Sequence, residues 1–133
     1  MKKVLVGLVM STCLLVASSL YAGDNQIQIM LEVQDLTVYG FTPATLTLDL
    51  ELGKTELMQI NAMAQSAERN FQLYWGTGRI FSNGNLNLTV TNGRVVMRIS
   101  LDSPRYDGTI RATNADPDAA VVDEGTVSFV DLL

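Results

Sequence analysis

From Gln26 onward, apolar and polar residues take turns along the chain. Ile27, Ile29, Leu31 and Val33 alternate with Gln26, Gln28, Glu32 and Gln34, and Met30 stands at a position where a polar residue is due. A period of two places successive side chains on opposite faces of a strand. Leu36 and Val38 fall on the other parity, so a bulge or short break is expected near Gln34–Asp35. After Gly40-Phe41-Thr42-Pro43 comes the clearest strand: Leu46, Leu48, Leu50 and Leu52 against Thr45, Thr47, Asp49 and Glu51. Leu86, Leu88 and Val90 form a third run, and Val95, Met97, Ile99 and Leu101 a fourth. Asn92-Gly93 lies between them and predicts a hairpin, since a type I′ turn needs positive φ at both central residues. Shorter strands are expected over 108–113 and 126–130, and weaker ones over 71–75 and 79–81, on either side of Gly76-Thr77-Gly78.

The stretch 55–69 can be read in two ways. Leu57, Ile60, Ala64, Ala67 and Phe71 share one helical face, the composition is rich in Ala, Met, Gln and Glu, and Thr55 is placed to cap. Met58, Ile60, Ala62 and Ala64 also alternate with Gln59, Asn61 and Gln65 as a strand would. The helical reading is the one adopted. Residues 114–124 are rich in Asn, Asp, Pro and Ala without apolar period and read as a loop.

Each strand thus has one wet face and one apolar face, the antiparallel pattern rather than the doubly buried parallel one. The expected fold is mainly β: one antiparallel β-sandwich-like domain over 23–133, with one short helix at about 55–69.

The N-terminus changes the picture of where this domain works. Lys2 and Lys3 precede a mostly apolar stretch from Val4 to Val16, and Ser18, Leu20 and Ala22 approach a small-x-small cleavage pattern. Residues 1–22 therefore read as a cleaved signal peptide; the apolar run is short for a spanning helix. Cys13, the only cysteine, would leave with it, so the exported chain has neither thiol nor disulfide. The expected location is the periplasm, or outside the cell at its surface. All 14 acids but only seven of the nine bases lie beyond residue 22, and six of those seven are Arg. An acidic balance of this kind argues against nucleic acid and against stable membrane association after cleavage.

What the chain lacks narrows its chemistry. It has no His, which removes Ser-His-Asp and Cys-His catalysis and, with no Cys in the exported part, ordinary zinc sites. No cofactor motif is visible; Gly76-Thr77-Gly78 lacks the remainder of a phosphate loop. Asp116, Asp118, Asp123 and Glu124 form a candidate cation loop, but the Gly and closing Glu of an EF-hand are missing, so no metal is assigned. Phe71, Tyr74 and Trp75 are the candidate ligand or partner surface, since Trp and Tyr are enriched where proteins bind. Arg94 and Arg98 share a strand face and are expected to pair with acids such as Asp49 or Glu51.

The function expected from these features is non-catalytic: a structural or assembly subunit, or an adhesion or accessory factor, engaging a protein partner or further copies of itself. A small carbohydrate- or ligand-binding module is the alternative, with a glycan as its partner. A hydrolase using paired carboxylates comes third.

Overall fold

The computed structural model describes residues 26–53, 55–116 and 120–132. The expected signal peptide and Asp118 lie outside the described residues. Eight antiparallel strands follow one another in chain order: β1 (Gln26–Gln34), β2 (Pro43–Leu52), β3 (Leu57–Ser66), β4 (Phe71–Ile80), β5 (Leu86–Thr91), β6 (Val95–Asp102), β7 (Asp107–Asn114) and β8 (Val121–Leu132). Each pairs with its neighbour in sequence, and β8 returns to pair with β1, so the sheet closes into a barrel. This corrects the expected sandwich. Both architectures require one buried and one wet face per strand; what separates them is the pairing of first and last strands, which alternation does not encode.

The expected helix is also corrected. Residues 57–66 form β3, paired along its length with β2 and β4. Met58, Ile60, Ala62 and Ala64 are buried, while Leu57 and Phe71, which a helix would have placed on its apolar face, are exposed. Strand pairing on both sides outweighs the helix propensity of Ala, Met and Gln, a weak prior that tertiary context routinely overrides. Likewise β4 runs unbroken through Gly76 and Gly78, and β8 begins at Val121, inside the stretch expected to be loop.

An eight-stranded barrel encloses a space just wide enough for side chains to fill or for one small ligand. Here side chains fill it. Leu31, Leu46, Leu48, Leu50, Leu88, Val90, Met97, Ile99, Leu101 and Ile110 are all buried at the inward positions. The outward positions of the same strands are largely Gln, Thr, Asn, Glu, Asp and Arg. That polarity is the reverse of barrels that cross outer membranes, which are apolar outside and polar within.

Both mouths are plugged. At one, the chain leaves β1 through Asp35, which has φ 64°, and folds Leu36 and Val38 into the core. This is the break expected near Gln34–Asp35. The segment turns at Tyr39-Gly40, where both residues have positive φ and Val38 and Phe41 exchange backbone hydrogen bonds. It is pinned by the Thr37 N–H donating to Asp123 Oδ2 at 2.7 Å, by the Tyr39 hydroxyl donating to Asn114, and by the Arg94 guanidinium 4.1 Å over the Tyr39 ring. At the other mouth Tyr106 is buried, and its hydroxyl donates to the Gly84 carbonyl at 2.7 Å.

The β5–β6 hairpin is present, but its turn is shifted by one residue. Among its residues only Gly93 has positive φ (94°), and Asn92 uses Oδ1 to accept from the N–H groups of Arg94 and Val95. The turn is centred on Gly93–Arg94, the Gly-first pattern of type II′, because the Asn92 side chain takes the hydrogen bonds that a type I′ turn would leave to the backbone.

Candidate docking surface

β4 departs from the rule of apolar residues inside and polar ones outside. Its inward positions are Gln72, Tyr74, Gly76, Gly78 and Ile80; its outward positions begin with Phe71, Leu73 and Trp75, exposed to 60%, 62% and 52%. The glycines explain the inner side. A Cβ at Gly76 would sit 1.9 Å from the Thr89 carbonyl oxygen, so β5 packs against bare backbone there. Bringing the two strands this close leaves little room for large inward side chains at that level. Nothing in the packing of the core calls for the outer side.

Of the three residues expected to form a ligand surface, Phe71 and Trp75 stand on this outer face. Tyr74 does not join them: it is 2% exposed, points inward, and donates from its hydroxyl to Gln72 Oε1 at 2.8 Å. Burial pushes the Tyr74 phenol pKa up, as it does that of Tyr106, where a hydrogen bond with the Ser103 side chain opposes the shift. Leu73 completes the surface and was missed. The signal was available, since 71, 73 and 75 share a parity that 74 does not.

Strand register extends the patch. Leu73 pairs with Met63, Met63 with Thr47, and Thr47 with Met30, the residue that broke the alternation of β1. One level along, Trp75 lies between Asn61 and Thr91, and Thr91 pairs with Val96. The outward positions of β3, β4 and β5 are otherwise Gln59, Asn61, Gln65, Thr77, Asn87, Thr89 and Thr91, with Leu57 beside Arg79 at the far end. Their sole charge is Arg79 at the far end, 3.8 Å from Glu56. The outer wall here is an uncharged panel of amides and hydroxyls with an apolar ridge down its centre.

The acidic residues are dispersed. Asp123 accepts from the Thr37 backbone, and Glu124, on the other face of β8, meets Arg111 at 2.9 Å. Asp116 is exposed. Among the described residues no three acids gather as a metal would require. Arg94 and Arg98 do not meet Asp49 or Glu51. Arg94 lies on Tyr39, and Arg98 donates to Thr113 Oγ1 at 3.2 Å, because the barrel carries β2 and β6 to different sides. Two shallow grooves mark the outer wall, one of about 430 Å³ beside Arg111, Glu124 and Gly125 and one of about 340 Å³ beside Leu57 and Thr77. Comparison with protein-family models, with curated proteins and with solved structures finds no match to this chain.

Proposed function

We propose that this is an exported, non-catalytic protein that acts by docking, with the outer face of β3–β5 around Phe71, Leu73 and Trp75 as its contact surface. The observation that carries the reading is the inversion of β4, which holds three large apolar side chains in water where its neighbours hold Gln65, Met63, Asn61 and Thr91. Contiguous exposed apolar surface on a small domain marks a place of interaction more often than scattered single residues do. The filled interior supports contact on the outside over a ligand within. Assembly by strand exchange has little support, because β1 and β8, the strands that would be donated, pair with each other and leave no open edge.

A photo-crosslinking residue placed at Leu73, compared with one at Thr126 on the opposite wall, tests this in exporting cells. The expected result is a discrete adduct from position 73 alone, lost when Phe71 and Trp75 are changed to Ser. Equal adducts from both walls, or none from either, would overturn the proposal.

A further inference from the structure

Beyond the apolar ridge the outer wall carries its highest density of positive charge. Arg98 of β6 and Arg111 of β7 are paired directly across the strands, and Arg94 lies four residues before Arg98. Like charges placed directly opposite are destabilising. Glu124 meets Arg111 from β8. Among the described residues, the outward positions beside Arg98 are Asn87, Thr89 and Thr91 on β5 and Thr109 and Thr113 on β7, none of them acidic. Arg98 and Arg111 therefore stand side by side on an otherwise acidic protein, with Glu124 beside Arg111 as the acid that offsets them.

The ridge and the arginines are continuous. Trp75, Thr91 and Val96 lie at one level across β4, β5 and β6, and Arg98 is the next outward residue after Val96. By strand spacing, Trp75 and Arg98 are about 12 Å apart at their Cα atoms. Between them on the outward face stand Thr77, Thr89 and Thr91, with Val96 beside Arg98.

We infer that this face binds an acidic glycan, a polysaccharide carrying carboxylate groups, laid across β4 to β7; the inference rests on the docking surface proposed above. Sugar rings present apolar C–H faces to an indole, hydroxyls to Thr and Asn, and a uronate carboxylate to guanidinium, which matches the order of groups from Trp75 to Arg98 and Arg111. Guanidinium suits carboxylate because its planar fork donates two parallel hydrogen bonds. A peptide is the poorer fit, because the closed barrel has no strand edge on which to hold a peptide backbone. The net negative charge of the chain does not forbid a polyanion here. Exposed charges are screened beyond about 8–10 Å at physiological salt, so the local balance of Arg98, Arg111 and Glu124, which is positive, outweighs the distant acids.

The test is titration of the purified protein with oligogalacturonate and, separately, with a neutral cello-oligosaccharide, followed by calorimetry and by the fluorescence of Trp75, the only tryptophan. Oligogalacturonate should bind and shift the emission, more weakly as salt rises. Arg98→Gln and Arg111→Gln should each weaken binding about tenfold or more, and Trp75→Ala should weaken it by calorimetry. Circular dichroism checks that each variant is folded, and two independent arginine variants guard against a local effect at either. Equal or tighter binding of the neutral sugar, or binding that both arginine variants leave intact, overturns the acidic class and keeps the docking surface. No glycan binding, with a position-73 adduct still present, overturns the glycan and keeps the surface. No binding and no adduct removes both.

Discussion

β2 and β4 are built on the same plan and put it to opposite uses. In β2 the leucines at 46, 48 and 50 point inward and are almost fully buried, while Thr45, Thr47, Asp49 and Glu51 face water. In β4 the inward side carries two glycines and a tyrosine, and the bulk has moved outside as Phe71, Leu73 and Trp75. The two strands are separated only by β3 and share its register through the Thr47–Met63–Leu73 row. The difference shows that large apolar residues in this chain follow two separate demands. One is to fill the barrel. The other places a ridge on the outer wall, in contact with solvent.

That contrast can be broken from either side. The largest effect is expected inside β2. Leu48→Ala removes a fully buried side chain and should cost about 2–5 kcal/mol, read as a lower midpoint in urea unfolding. A smaller effect is expected on the inner side of β4. Tyr74 is held neutral by burial, so its folded pKa lies above its unfolded value. The unfolded chain gives up that proton first as pH rises. The associated stability is therefore complete below about pH 10, the ordinary value for tyrosine, and is lost as pH climbs through the folded pKa. Tyr74→Phe should flatten the fall in unfolding midpoint measured above pH 10; an unchanged slope would assign the alkaline loss elsewhere, with Tyr106 the next group to test. The smallest effect is expected on the outer side. Leu73→Thr gives β4 the residue that β2 has at the same level, and should shift stability by less than about 0.5 kcal/mol in the same assay. A large loss there would mean that the ridge belongs to the fold and not to a contact.

Much of this was legible in the chain. β1, β2, β5 and β6 follow from alternation because their inward residues are chiefly Leu, Ile, Val and Met and their outward ones, Met30 and Val96 apart, polar. β3 was harder, since Ala and Met at every second position, with Gln between, satisfy strand and helix periods together; only its neighbours on both sides settle the matter. The glycines at 76 and 78 read as a break between two short strands, yet they let one strand run close against β5. Sandwich and barrel cannot be told apart from alternation, because closure lies in the contact between β1 and β8. On the surface, Phe71 and Trp75 were legible as aromatics; Leu73 and the inward turn of Tyr74 follow from parity once β4 is known to be continuous. Asp123 and Glu124 were adjacent in sequence but are parted in space, because they are successive residues of a strand and face opposite ways.

The closing seam has a consequence for how the molecule is made. Seven of the eight strand pairings join neighbours in sequence and can form as hairpins. The eighth joins residues as distant as Ile29 and Leu132. Bringing together the ends of a segment of about 100 residues costs on the order of 4 kcal/mol in chain entropy before any contact repays it. Until β8 arrives, β1 and β7 each carry an unpaired edge and the inward Ile27, Ile29, Leu31 and Val33 of β1 are open on one side. A chain that emerges N-terminus first therefore passes through its most adhesive form late, when seven strands are assembled and the last is awaited, and the final strand acts as the clasp that ends that exposure.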